Sequence, residues 1–292
     1  QLIWKRFTAS RMQPAKYETT AVKIGAGEYC FTVSTARIAF DGFRSVYVEA
    51  EEEKEESNVL VGHLSMDSVL TKEEFDHGGT RRQAAELSDA EILVFMTQDA
   101  VPADEYVIGN LVKVLEEDEM TGAAYARQLA ASNCNYIEKY TRKFNYPENS
   151  RIKSKEDLQE MGIKTFFCSN VCAAYKRNIY EKAGGFCKKT IFNEDMILAG
   201  HMINAGYKVA YVAEARVIHS HNYTGMQQFH RNFDMAVSQA EHPEVFEGIK
   251  SESEGIKLVK QTAAHLVKQR KIYMVPKLVY QSGCKYIGYR MG

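Results

Sequence analysis

Three groups of residues have types and spacing that could carry chemistry: Asp99, the run Asn193-Glu194-Asp195, and the run His219-Ser220-His221. Asp99 follows the apolar run Ile92-Leu93-Val94-Phe95-Met96 and precedes Ala100-Val101-Pro102. An apolar run that stops at a carboxylate and a proline reads as a buried strand opening into a loop. In open α/β sheets ligands bind beyond the carboxyl ends of strands, and an acidic group there can hold a metal ion against phosphates. Glu194 and Asp195 stand at an expected helix start, with Asn193 as N-cap. The helix dipole favours acids at that position, so the pair serves either as helix-start charge or as a general base. His219 and His221 are two apart at an expected strand end and share a face. That suits a metal pair, although two such histidines alone are more often surface or core residues.

The elements that must position these groups alternate. Strands are expected at 92–96, at 166–175 with Asn170 in its middle, and at 209–218. Helices are expected at 80–90, 104–117, 177–183, 194–205 and 227–240. Gly78-Gly79 reads as a tight turn or a close approach to a ligand, and Gly184-Gly185 as a helix stop. Strands alternating with helices predict an α/β sheet. Residues 1–70 are the least readable part, with short β-rich runs and an acidic stretch from Glu51 to Glu56.

Composition narrows the function classes. The chain has 292 residues, 45% hydrophobic and 26% charged, with a net charge of −1. That is ordinary for a globular protein and gives no electrostatic footprint for nucleic acid. No apolar stretch reaches the roughly 18–20 residues that span a bilayer, and no secretory pattern opens the chain. The six cysteines lack the close pairing of a zinc site and fit free thiols in a reducing cytosol. From Gly255 onward the chain carries Lys257, Lys260, Lys268, Arg270, Lys271, Lys277, Lys285 and Arg290 and no acidic residue. Apolar and aromatic positions are interleaved with them. Such a tail, 249–292, either lies on an anionic membrane surface or docks as helices on the domain 1–248.

The order of motifs resembles one family. Phe75-Asp76-His77-Gly78-Gly79-Thr80-Arg81, Phe95 through Pro102, Phe167-Cys168-Ser169-Asn170 through Gly184-Gly185-Phe186, and Asn193-Glu194-Asp195 through His219-Ser220-His221-Asn222-Tyr223 are similar to the family 2 glycosyltransferases of GT-A architecture, in their rhamnosyltransferase-like branch. The resemblance runs over residues 72–292. It implies that Thr97-Gln98-Asp99 stands at the DxD position, with Thr97 replacing the first acid. Asp99 would then hold Mg²⁺ or Mn²⁺ against the diphosphate of a nucleotide-sugar. It implies Asp195, or alternatively Glu194, as the base that deprotonates an acceptor hydroxyl during an inverting displacement. His219, with His221 competing, would complete the metal site. Asp76, His77, Gly78, Gly79, Arg81, Arg82, Thr97 and Gln98 would lie on the nucleotide-sugar side. Ser169, Asn170, Gly184, Gly185 and Phe186 would frame the acceptor pocket.

The resemblance favours dTDP-rhamnose as donor and a glycan or lipid-linked acceptor in cell-surface polysaccharide synthesis. A cytoplasmic location is expected, with possible contact of the tail to the inner membrane face. The family's usual first strand is not found, so a truncated or divergent N-terminus is expected, and with it the alternative of a catalytically impaired nucleotide-sugar or carbohydrate-binding remnant. A membrane-surface scaffold acting through the tail is a third class.

Overall fold

The computed structural model describes the backbone of five strands between residues 20 and 70, together with residues 76–97, 99–249 and 252–292. The five strands are β1 (Thr20–Ile24), β2 (Gly27–Phe31), β3 (Arg37–Ala39), β4 (Gly42–Glu52) and β5 (Val59–Leu70), in sheet order β1-β2-β5-β4-β3. The chain start, where the truncated first strand was expected, lies outside the described residues, as does Gln98.

From residue 76 onward strands and helices alternate as α1 (His77–Glu86), β6 (Ile92–Met96), β7 (Val101–Pro102), α2 (Val107–Glu117), β8 (Thr121–Leu129), α3 (Tyr136–Asn145), β9 (Arg151–Lys153), α4 (Leu158–Met161), β10 (Cys172–Lys176), α5 (Arg177–Lys182), α6 (Glu194–Asn204), β11 (Lys208–Ile218), α7 (Gly225–Ala240), α8 (Pro243–Phe246), α9 (Glu252–Lys268) and α10 (Val275–Met291). The main sheet runs β6-β10-β8-β11-β7, with β9 paired to β11. β8 and β11 are parallel, and β10 is antiparallel to both β6 and β8, so the sheet is mixed.

Strand alternation divides the core. Ala123 and Tyr125 of β8 face one layer with Phe95, Tyr175 and α6. Ala124 and Ala126 face the other with Leu111 and Leu115 of α2. Those two leucines are fully buried, each worth about 1.5–3 kcal/mol. α6 is buried almost all round, because it lies between the sheet and α8, and its Gly200 sits against Val245. A sheet covered on both faces by helices is the α/β class expected from the motif order.

The structure departs from the sequence expectations in four places. The segment 166–175 is not one strand: a 3₁₀ turn ends at Phe166, and the strand starts only at Cys172. Asn170 stands in the intervening loop, because its backbone N–H and side chain are bonded to acidic side chains rather than to a neighbouring strand. Gly78 and Gly79 do not form a turn; they make the first turn of α1, backed against the carbonyls of Cys187 and Lys188. Asn193 precedes α6 but does not cap it. Its backbone is left-handed (φ 61°), and its side chain donates to Met235 O at 3.1 Å. Finally, β8 and α3 had no counterpart in the expected elements. The tail forms two helices, and α10 docks on α7 through Gly288, which lies against the Phe229 carbonyl.

Candidate active site

Two clusters of ionisable side chains form where β6, β8 and β11 end and β10 begins. In the first, Asp99 follows β6. Thr97 fixes its loop, with its N–H donating to Val171 O at 3.1 Å and its carbonyl accepting from Ala100 at 3.1 Å. Asp99 Oδ2 lies 3.4 Å from His219 Nε2 and 3.2 Å from His221 Nε2, and the two imidazole nitrogens are 3.0 Å apart. The His219 and His221 imidazoles beside it hold the Asp99 carboxyl well below the usual carboxylate range.

β11 delivers the histidines through an irregularity. Its pairing with β8 shifts between Val212 and Arg216 and resumes with Arg216 opposite Arg127 and Val217 opposite Gln128. His219 N–H then donates to Leu129 O at 2.9 Å. The shift sets His219 beside Gln128, whose Oε1 is 3.0 Å from His219 Nδ1. Gln128 is 2% exposed. Its amide donates to Ser169 Oγ at 3.0 Å, and its oxygen accepts from Arg142 of α3.

The second cluster sits at the start of α6. Asp195 Oδ2 accepts from Asn170 N–H at 2.9 Å, and its Oδ1 from Met196 N–H at 2.8 Å. Glu194 Oε1 accepts from Asn170 Nδ2 at 3.1 Å and pairs with Arg81 at 3.0 Å. The Tyr175 hydroxyl donates to Asn170 Oδ1 at 2.7 Å and locks that side chain. Burial first, and the neighbouring Glu194 second, push the Asp195 carboxyl well above its ordinary range. The left-handed Asn193 fixes the approach to this pair, and strain of that kind is concentrated at functional sites.

The clusters are joined twice. Ser169 bonds to Gln128 of the first, and its neighbour Asn170 bonds to both acids of the second. On the other side His221 stacks on Tyr223 at 4.8 Å, and the Arg231 guanidinium lies over Tyr223 and over Phe192, just before Asn193.

Other expected residues are placed differently. Asp76 is the N-cap of α1: its Oδ1 accepts from Gly79 N–H at 2.6 Å and its Oδ2 from Thr190 N–H at 2.8 Å. His77 is largely buried, and burial lowers its pKa. Its carbonyl accepts from Arg81 at 3.0 Å. Gly78 and Gly79 allow α1 to press on residues 187–188; a methyl group on Gly78 would come 2.4 Å from Cys187 O. Arg82 turns away from Arg81 and donates to the carbonyls of Gly184 at 2.8 Å and Phe186 at 3.0 Å. Gly184 and Gly185 line a separate surface cavity of ≈ 520 Å³ with Arg82, Arg177 and Tyr180. Phe186 is fully buried against Phe95, Tyr175 and Tyr180. The structure thus brings Asp99, His219, His221, Ser169, Asn170, Glu194, Asp195 and Arg81 together, and sets Arg82, Gly184, Gly185 and Phe186 apart from them.

Gln128, Arg142, Tyr175 and Arg231 were missed from the sequence. The available signal was a glutamine just beyond the strand-length run Gly122-Ala123-Ala124-Tyr125-Ala126, because an amide buried at a strand end must find partners.

The O-antigen chain rhamnosyltransferase RfbN of Salmonella typhimurium is 41% identical to the chain over 245 residues, covering 82% of this chain and 77% of that protein. The chain belongs to the family 2 glycosyltransferases, in their rhamnosyltransferase-like branch. The O-antigen chain rhamnosyltransferase WbaN of Salmonella anatum is 37% identical over 251 residues, covering 85% and 78%. This glycosyltransferase also resembles two solved structures. A mannosyltransferase from Pyrobaculum calidifontis in complex with GDP-Man and Mn²⁺ is 15% identical, with TM-score 0.43, and the likeness covers 73% of this chain and 55% of that one. Staphylococcus aureus TarS in complex with UDP-GlcNAc is 10% identical, with TM-score 0.37, covering 80% and 74%. The profile of a DNA topoisomerase family matches residues 1–144, just under half of the chain. The described part of that range supplies Asp99, Arg81 and Gln128 to the clusters above.

Proposed function

We propose that this glycosyltransferase moves rhamnose from dTDP-rhamnose to a hydroxyl of a glycan or lipid-linked acceptor during O-antigen-type polysaccharide synthesis, with inversion at the anomeric carbon. The names of its relatives support the sugar and the pathway class. The observation that carries the chemistry is the convergence of the Asp99, His219 and His221 donor atoms within 4.8 Å of one another, tied through residues 169–170 to Asp195.

One carboxylate and two imidazoles aimed at a common point fit a divalent cation, and the two nitrogen donors suit Mn²⁺ better than Mg²⁺. Bound there, the cation would neutralise charge developing on the departing nucleoside diphosphate. Arg81 places positive charge on the second cluster, and the exposed Arg231 lies over Tyr223 beside the first and Phe192 beside the second, where a diphosphate would lie. Their planar forks suit phosphate oxygens. Asp195 is the proposed base. Its raised pKa gives it affinity for a proton near neutral pH, and Asn170 and Met196 hold both its oxygens in place. Glu194, tied to Arg81 and Asn170, is the proposed orienting partner.

The helical tail supports a peripheral position on the cytoplasmic membrane face. Tyr273, Tyr286, Ile287 and Met291 are exposed beside lysines and arginines, and among the described residues no helix is long and apolar enough to cross a membrane.

A screen of nucleotide-sugars for Mn²⁺-dependent transfer tests the reading. dTDP-rhamnose is expected to be consumed with Mn²⁺ and spared with EDTA. Turnover unaffected by chelation contradicts the metal role. Absence of turnover with any donor favours the impaired-remnant alternative.

A further inference from the structure

We infer that Gln128 is a positioning residue that fixes the protonation pattern of His219 and so keeps its Nε2 free to bind the cation. The inference rests on the proposed metal role of Asp99, His219 and His221. An amide side chain can be turned two ways, and Arg142 decides which. A guanidinium carries donors and no acceptor, so the Gln128 atom that faces Arg142 must be its oxygen. Arg142 is itself held by Glu138, one turn earlier on α3, at 2.6 Å.

The amide nitrogen then points to Ser169 Oγ at 3.0 Å, which accepts from it. The same Gln128 oxygen lies 3.0 Å from His219 Nδ1. An oxygen can only accept, so Nδ1 must carry the hydrogen. In the neutral ring the lone pair is therefore on Nε2, the atom that faces Asp99 Oδ2 and His221. The chain Glu138–Arg142–Gln128–His219 thus writes a tautomer into a site 2% exposed at Gln128 and 9% exposed at His219, where water offers little competition. Partners of this kind behind a metal-binding histidine typically matter by roughly 10–100-fold in metal affinity.

The variants Gln128→Leu, Gln128→Glu and His219→Ala separate the possibilities. Leu removes the acceptor, whereas Glu keeps an acceptor oxygen for both Nδ1 and Arg142. Mn²⁺ affinity, read by electron paramagnetic resonance on the full chain, is expected to fall roughly 10–100-fold in Gln128→Leu and to hold or rise in Gln128→Glu. In metal-free protein, nitrogen NMR of the imidazoles is expected to show His219 protonated at Nδ1 in the wild type and in Gln128→Glu. In Gln128→Leu the proton is expected to be shared between the two nitrogens.

A wild-type His219 protonated at Nε2, or a Gln128→Leu variant with wild-type Mn²⁺ affinity beside a weakened His219→Ala, overturns the role of Gln128 and leaves the metal site standing. Wild-type Mn²⁺ affinity in His219→Ala overturns the metal reading itself, and the inference with it. If Gln128→Leu and Gln128→Glu lose affinity equally, the residue is merely structural and the inference fails.

Discussion

Asp99 and Asp195 carry the same carboxyl group, and their surroundings push it in opposite directions. Asp99 sits on a loop with its side chain 46% exposed, and two imidazoles lie beside it and keep it ionised. Asp195 sits at the head of a buried helix beside a second acid, and burial raises its affinity for a proton. The first environment suits a permanent anion that holds a cation. The second suits a group that takes up a proton during reaction. The difference ties each proposed role to its environment: a strand end open to ligand in one case, a packed helix start in the other.

The largest effect is expected at the exposed end of that comparison. Asp99→Asn removes the carboxylate from the proposed metal site. Mn²⁺ affinity should fall by more than the roughly 10–100-fold typical of a supporting group, and turnover with it. Titration with Mn²⁺ monitored by electron paramagnetic resonance checks this, and unchanged affinity would remove Asp99 from the metal site.

A second effect concerns pH. As the proposed base Asp195 would work only when deprotonated, so kcat should rise with pH through its raised pKa, above the ordinary carboxylate range. The Arg81 charge favours the ionised form, so Arg81→Met should move that rising limb to higher pH. A kcat profile with its limb in the usual carboxylate range would count against Asp195.

Thermal unfolding sharpens the contrast further. Asp195 holds its proton more tightly folded than unfolded, so its contribution to stability is present below the unfolded value, about 3.9, and fades as pH rises through the folded one. Asp99 holds its proton less tightly, so its contribution is present above about 3.9 and is lost as pH falls through the folded value. Melting curves across pH should therefore show opposite slopes. From low pH to neutral, Asp195→Asn gains on the wild type by a few degrees, and Asp99→Asn loses ground by less, since Asp99 is half exposed. Parallel slopes would mean that the two environments do not differ.

The smallest effect is expected at Arg82, which ties down the Gly184–Phe186 turn. Arg82→Ala should cost about 1 kcal/mol of stability, seen by denaturant unfolding, and leave the KM for donor within about twofold. A large rise in KM would place Arg82 on the nucleotide after all.

Much of this arrangement was legible in the residues. The strands at 92–96 and 208–218 and the helices near 107–117, 194–204 and 225–240 announce themselves by apolar runs and amphipathic spacing. Asp99, Asp195, His219 and His221 stand at their ends. β8 did not announce itself, because Ala123, Ala124 and Ala126 are small rather than β-branched and fit the crowded centre of a sheet by size. With β8 unseen, Gln128 had no place, and neither had Arg142 on the helix that follows. Asn170 was assigned to a strand because its neighbours are apolar. Its side chain and backbone instead turn to the acids of α6, a pairing across 24–25 residues that no local pattern encodes. Gly78 and Gly79 looked like a turn, but their use is close packing against residues distant in sequence.

The central claim is that the two acids do separate jobs, and Asp195→Asn tests it most directly. Measured together on one preparation, Mn²⁺ affinity and the rate of nucleoside diphosphate release from dTDP-rhamnose should part company. Affinity is expected to stay within about twofold of the wild type, while the rate falls by roughly 10²–10⁴, the range that a general base supplies. A variant that releases the diphosphate at the wild-type rate, or that loses Mn²⁺ binding along with turnover, would contradict the account.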